Sequence, residues 1–592
     1  MVASALEEFG RAQALDLHTP VGSWSMHPMM LSEEEYVHGG APTTFEVIDT
    51  ATLWDTVGMF NLLASTTPLL SLSSNCDSVL YTESLVAWQH NEKTNVPGYR
   101  FEQFTEVALW FDLCPVDYLT GFTSRYNAHE TLTFSDRTHT RRHEILVWKR
   151  PSSGDRVARQ YPPPNIAFQE PAQLASRLQE VYTRMFGDML WSFCLTVHLD
   201  SWRRESDIPE FLLYTRETFA RFLRCVKDRF CDSEDYWNEV MTTILAPRRG
   251  MKFDLLSEVE FFAQLHRLGV CSIEGINDFG RPSTGRLSQW ETIPPLVRVT
   301  VIVPRAHLRD RDFSPIVSHV GNSPLAISMT GILRLSWYQC INATFGRATD
   351  IGTDSAPRIQ VDEDPDGIRG ASDLILSFVI CTAILMEPDL QMERPQPFIE
   401  VFLLVAPGKA LLTPDDGDPT IRINLFEVHF EDRQSVIVTP EECLPSAFSP
   451  SPCAWLSRHR PPQQAVPGQL AIGKQLFVRV KMEIDEDDDE PYEKITGFTA
   501  GIEVDNPDVR AGIASDPSMT ATLINQASPC ALRVSLAGHE QVVVFPLPVS
   551  ASKSKVQSSS RANDITFEVS RHIQRPYIYS DLPDWTTRCS RL

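Results

Sequence analysis

Residues 45–70 read FEVIDTATLWDTVGMFNLLASTTPLL. The first five form a short apolar run ending in an acid, the pattern of a strand in a sheet covered on both faces. A helix is expected next. Thr52 and Asp55 have the spacing of a capping box in its weaker aspartate form, and Leu53, Val57, Phe60 and Ala64 recur at helical spacing until Pro68. Strand, acidic turn and helix in succession make the repeating unit of an α/β domain. In open α/β sheets ligands sit beyond the carboxyl ends of the strands, so Asp49, Thr50 and Asp55 stand where a site could form. The competing role for Asp49 and Thr50 is capping, in which they satisfy the orphan amides of the helix.

Outward from this unit the periodicity changes twice. TEVALWFDLCPVDYLTGFTS has the look of another buried element, broken at Pro115. From Ala172 to about Leu268 the pattern is helical: Leu174, Leu178, Val181 and Met185 mark one apolar stripe, and Phe219, Phe222, Leu223, Val226 and Phe230 a second. Two shorter helices follow, YWNEVMTTIL closed by Pro247 and LLSEVEFFAQLHRLG closed by Gly269 as its C′ residue. Arg216, Arg221, Arg224, Lys227 and Arg229 give the second long helix a basic face, expected to be solvated or salt-bridged. Past residue 275, Gly, Pro and Ser loops give way to short β-branched runs. Eleven such runs, from LVRVTVIV to DITFEVS, suggest one large or two smaller antiparallel sandwiches. SASKSKVQSSSRAND has the composition of a flexible linker. The expected class is α+β multidomain. Residues 1–44 form an N-terminal extension, 45–165 a partial α/β segment, 166–275 a helical region, 290–575 a β-rich domain and 576–592 a tail.

Composition narrows the function classes. With 592 residues, 42% hydrophobic and 22% charged, the chain can bury several cores. Its formal net charge of −24 argues against nucleic acid as a partner, because phosphate neutralisation needs clustered Lys and Arg. Part of the acidity lies in the run Asp485 to Glu490, read as a solvated loop. No window reaches the ~18 apolar residues of a membrane span, and the first residues lack a basic region followed by an apolar core. A cytoplasmic location is expected, with the nucleus as an additional one, and the twelve cysteines, without a CxxC pair, read mostly as reduced core thiols. His139 and His143 lack a third ligand partner in sequence. DEDPDGIRGASD places Asp362, Asp364, Asp366 and Asp373 at the offsets of a calcium loop. Arg369, a terminal Asp in place of Glu, and flanking strands instead favour an acidic turn.

The residues of the opening stretch resemble a fungal family of unknown function, common in mushroom-forming fungi and often joined to a C-terminal MYND zinc finger. That family is related to the N-terminal, methyltransferase-like domain of a dynein axonemal assembly factor. Its hallmark has roughly the form Phe-Asp-Val-Ile-Asp-Thr-Ser-Asn-Leu-x-Asp-His-x-Gly-x-x-Asn-x-Leu. The chain matches it through Phe45, Val47, Ile48, Asp49, Thr50, Leu53, Asp55, Gly58, Asn61 and Leu63. Similarity continues in order through SVLYTESL, LCPVDYLT, ILVWKRPSSGD, YTRETFARFLRCVKDRF, PPLVRVTVIVPRAHL and DEDPDGIRGASDLILSFVI.

The resemblance implies a methyltransferase-like α/β segment. If the chain were an S-adenosylmethionine-dependent methyltransferase, Asp49, Thr50, Asp55 and Asn61 would lie near the cofactor. The departures are Ala51 and Thr52 for Ser-Asn, Thr56 for His, and Glu102 and Gln103 for a Gly-Asp. A complete sheet of that kind needs earlier strands and a glycine-rich loop, at about thirty residues per βαβ unit, and the 44 preceding residues contain neither. No MYND cysteine-histidine set is present, so no zinc is expected. The leading expectation is a non-catalytic, intracellular scaffolding module with proteins as partners and no cofactor. The alternatives are the methyltransferase and a calcium-dependent β-sandwich.

Overall fold

The computed structural model describes residues 23–25, 44–51, 53–71, 78–84, 109–116, 144–150, 165–168, 170–194, 214–231, 233–246, 258–271, 286–308, 325–330, 335–353, 357–386, 398–404, 422–443, 477–486, 495–504, 511, 522–536, 539–559 and 564–570. Thr52, His139, His143 and the tail 576–592 lie outside them, as do Asp487 to Glu490 of the acidic run. Helices and several mostly antiparallel sheets make it a mixed α+β chain.

The chain opens with β1 (Ser23–Ser25), β2 (Val47–Asp49), α1 (Leu53–Val57), α2 (Met59–Thr66), β3 (Val79–Ser84), β4 (Cys114–Pro115), β5 (Glu144–Lys149) and β6 (Asn165–Ala167). Strands β2 and β3 pair in parallel across the two short helices, which makes the stretch 45–84 a βαβ unit. The sheet runs β2-β3-β5-β4, with β5 antiparallel to both of its neighbours. Its inward face is closed by Leu80, Leu146 and Trp148, and Trp148 Nε1 donates to Thr82 Oγ1 at 3.0 Å. The expected double cover is not found. Val47 is 60% exposed and Phe45 42%, because β2 is a three-residue edge strand with one open face.

Four helices follow: α3 (Pro171–Cys194), α4 (Arg216–Phe230), α5 (Glu234–Leu245) and α6 (Glu258–Arg267). Both apolar stripes are buried at every position read from the sequence, from Leu174 to Met185 and from Phe219 to Phe230. Phe60 of α2 meets Phe111, Tyr214 and Phe222 edge-on at 5.9, 6.1 and 5.5 Å, tying the βαβ unit to α4. Each such pair adds about 0.5–1.5 kcal/mol beyond burial. Helix α6 ends in a Schellman turn: Gly269 has φ +63°, Val270 N–H donates to Leu265 O, and Gly269 N–H to His266 O.

The next strands are β7 (Leu296–Val303), β8 (Leu325–Thr330), β9 (Leu335–Tyr338), β10 (Asn342–Asp350), β11 (Ile359–Glu363) and β12 (Asp373–Cys381). They are followed by α7 (Thr382–Met386), β13 (Phe398–Leu404), β14 (Arg422–His429) and β15 (Val436–Pro440). A six-stranded sheet, β1-β11-β10-β12-β7-β15, and a four-stranded one, β14-β13-β8-β9, share one core. Val297, Val299, Val301 and Val303 alternate along β7 into that core, with Ile327, Ile399 and Val401 contributed by the smaller sheet. The intervening Arg298 and Thr300 point to the other face, and both are buried.

The last strands are β16 (Phe477–Glu486), β17 (Ile495–Val504), β18 (Thr522–Ser528), β19 (Ala531–Leu536), β20 (His539–Val544), β21 (Lys555–Ser559) and β22 (Asp564–Ser570). They form the sheets β21-β22-β17-β16-β6 and β18-β19-β20. Lys555–Ser559, expected to be linker, pairs with β22 in register, because polar residues suffice on an outer strand. Packing crosses the chain division at residue 290. Phe498, Leu532, Val543, Phe545 and Val549 belong to the same core as Leu63, Leu80, Phe168 and Phe222. Strand β6 pairs in parallel with β16, Ile166 opposite Met482. One core thus draws on both ends of the chain, and a second lies between them in sequence.

Candidate functional site

At the carboxyl end of β2 the candidate side chains are engaged with their own chain. Thr50 is buried, and both its N–H and its hydroxyl donate to Tyr81 O, at 3.1 and 2.9 Å. Neither bond caps a helix amide; together they clamp the end of β2 onto β3. Asp49 Oδ1 accepts from Ala51 N–H at 2.9 Å, closing an Asx-type turn in which Ala51 takes φ +43°. Ala51 O then accepts from Glu83 N–H at 3.0 Å, so the turn itself is bonded to β3. Asn61 Nδ2 donates to Val57 O at 2.7 Å, satisfying a carbonyl at the end of α1. Asp55 lies within α1.

The remaining hallmark positions also have structural work. Gly58 starts α2 at φ +81°, and a Cβ there would stand 2.7 Å from the Tyr214 ring. Leu53 and Leu63 enter the core. What the sequence pattern alone did not reveal is an apolar row beside Asp49. Phe45, Val47 and Asp49 share one face of β2, Asp49 stands opposite Tyr81 of β3, and Tyr81 is 37% exposed. The signal available in the sequence was the odd-position alternation of FEVID, which reads equally well as a covered strand.

The acidic loop connects two strands, and its carboxylates at Asp362, Asp364 and Asp373 are bonded within the chain. Strands β11 and β12 flank β10, with Glu363 and Asp373 both opposite Gly346, so residues 364–372 cross β10 at mid-strand, and Asp364 N–H donates to Phe345 O at 2.8 Å. Asp364 accepts from Asp366 N–H at 3.0 Å and Ser372 N–H at 3.2 Å; hydrogen bonding, led by the Ser372 side chain, lowers its pKa. Asp373 Oδ1 accepts from Arg305 N–H at 2.8 Å, and Asp362 Oδ1 from Gln360 Nε2 at 3.1 Å. Among the described residues no group of three or more His, Cys, Asp or Glu side chains converges on a point that could hold a metal ion.

The basic face of α4, expected to be solvated or salt-bridged, is salt-bridged at Arg221, Arg224, Lys227 and Arg229, and much of it is buried where a surface was expected. Arg216, Arg224 and Lys227 are buried, and Arg216 lies 3.9 Å over the Phe186 ring. Arg224 donates to Leu268 O at 2.8 Å and Lys227 to Val270 O at 3.0 Å, so two cations close the carbonyl end of α6. Burial lowers the pKa of Lys227 against the pull of Glu234. Arg229 reaches Asp112, which Arg150 holds from the other side at 3.0 Å. Arg221 remains at the surface, paired to Glu217.

Between the two cores lies a buried ionic chain. Glu217 of α4 meets Arg267 of α6 at 3.4 Å, Arg267 bonds Glu441 at 2.8 Å, and Glu441 takes Arg298 of β7 through both oxygens at 2.8 Å. Arg298 continues to Ser377 of β12 at 3.3 Å. Burial opposes the charge on Glu217, but Arg221 and Arg267 overcome it and hold its pKa at about 2. Glu260 beside them accepts from Gln339 and Cys340 N–H at 2.7 and 2.6 Å. Its other oxygen is buried without a hydrogen-bond partner, and burial pushes its pKa up. This arrangement joins the two cores, and burial holds the Cys340 thiol well above its ordinary value.

No protein-family model, curated protein or solved structure matches the chain. Among the described residues no helix is long and apolar enough to cross a membrane.

Proposed function

We propose that the chain is a non-catalytic protein-interaction module: a partial methyltransferase-like α/β segment, a helical region and β-sandwich-type sheets, working as an intracellular scaffold. The observation that carries this reading is the open apolar row Phe45, Val47 and Tyr81 on the edge of the β2-β3-β5 sheet, beside polar residues already bonded within the unit. Exposed apolar surface of this kind marks contact sites. Thr50 and Asn61, which a cofactor reading would place at a pocket, fix the strand end and the end of α1.

The second reading, an S-adenosylmethionine-dependent methyltransferase, is favoured by topology. The order β2-β3-β5-β4, with an antiparallel strand inserted between two that run alike, is that of the second half of a class I methyltransferase sheet. Calorimetric titration of the purified chain with S-adenosylmethionine and with its demethylated product separates the two. The module reading expects no heat at millimolar ligand; saturable binding abolished by Asp49→Ala would replace it with the enzyme.

A further inference from the structure

We propose that the outer edge of β2 docks an extended segment of a partner protein, apolar at alternate positions and carrying a lysine or arginine where it passes Asp49. This rests on the module reading and names the partner's chemistry. The backbone supplies the first argument. Val79 N–H donates to Glu46 O at 2.8 Å and Thr50 N–H to Tyr81 O at 3.1 Å, so Glu46, Ile48 and Thr50 direct their peptide groups to β3. Those of Val47 and Asp49 alternate outward. At Phe45 the outward side is taken, because Phe45 N–H donates to Leu69 O at 2.7 Å and Ser71 N–H to Phe45 O at 2.8 Å. That pairing stops there, and from Val47 onward the edge is unpaired among the described residues. An added strand meets amides and carbonyls in ladder geometry, with side-chain selection at every second position.

Charge decides the occupant. Asp49 is the exposed acid of β2, and neither β2 nor β3 contains a basic residue. Asp49 and Glu83 lie toward the carboxyl end of the parallel pair, whereas Lys149 pairs with Cys114, on the side of β5 away from β3. A strand passing Val47 and Tyr81 with its apolar side chains brings its next outward residue to Asp49, where a cation is favoured within a Debye length of ~8 Å. A second copy of this chain would set acid against acid at the same edge, in a molecule of net charge −24.

The test selects short random peptides displayed on phage against the full chain, then measures the enriched peptides, fluorescein-labelled, by anisotropy. Expected are binders with alternating apolar residues and at least one Lys or Arg. Val47→Asp, at an exposed position, should weaken them by about tenfold or more, equivalent to ~1.4 kcal/mol. Asp49→Lys should move preference from basic to acidic peptides, and Glu83→Lys provides the same exchange should the Asx turn fail to form. Failure to enrich any peptide, binders without basic residues, or equal affinity for Val47→Asp each overturn the edge. So does a concentration-dependent dimer in sedimentation that Val47→Asp abolishes, which would make the occupant a second copy. None of these results produces S-adenosylmethionine binding, whereas that binding alone removes the module reading.

Discussion

Single residues here act mainly by fixing backbone. Gly58 holds φ +81° against the Tyr214 ring, so a methyl group meets both a disfavoured conformation and an aromatic side chain. Gly58→Ala should therefore lower unfolding stability by about 2 kcal/mol or more in a urea titration, in place of the gain of about 0.4–1 kcal/mol that Gly→Ala brings where the backbone tolerates it. Glu260 makes a prediction in pH. Its folded pKa lies above the ordinary 4.5, so the fold prefers the protonated form. That contribution is complete below 4.5 and is lost as pH rises through the raised value. Glu217 runs the other way: with a folded pKa of about 2, its contribution is complete above 4.5 and is lost as pH falls toward 2. Glu260→Gln should thus gain on the parent chain as pH increases above 4.5 while leaving the acid limb unchanged. Parallel denaturation curves for the two proteins above pH 4.5 would refute the assignment.

Among elements, the ionic chain through Arg267, Glu441 and Arg298 couples α6 to β7 and β15. Glu441→Ala leaves two buried guanidinium groups without their carboxylate and should cost about 3–5 kcal/mol, whereas replacing all three by Leu and Met should recover most of that loss. Chemical denaturation of the parent chain and the two variants checks the order. The strands of this region were legible in sequence because β-branched runs such as LVRVTVIV and LILSFVIC are buried on both faces. NATFGRATD, which forms β10, was not, since most of its positions are half or fully exposed and its pairing is provided by β11 and β12. The basic stripe of α4 was legible as salt-bridged but not as buried, for a related reason. What makes burial of Arg224 and Lys227 tolerable is a pair of carbonyls more than forty residues away, at Leu268 and Val270. The opening βαβ unit could be read from FEVID and the helix after it, but its bare outer face could not, because alternation does not say which side is covered.

At the scale of the molecule, the two cores meet among the described residues through that ionic chain, through Glu260 with the Gln339 and Cys340 N–H groups, and through an apolar contact of Ala263 with Leu296, Val379 and Cys381. Coupling of this size is breakable by one substitution. Calorimetric melting of Glu441→Ala should resolve two transitions at temperatures closer together, or merged, in the parent chain; a single unshifted transition in the variant would mean that the ionic chain does not join the bodies. The parallel pairing of β6 with β16 carries a different consequence, for synthesis. Asn165 leaves the ribosome roughly 300 residues before Lys481, the residue it stands beside. At about 5–20 residues per second the interval is about 15–60 s, during which the aromatic wall of Trp110, Phe168 and Phe222 waits for its covering sheet. The nascent chain therefore has a window in which the amino-terminal part of that core is made without the carboxyl-terminal residues that complete it.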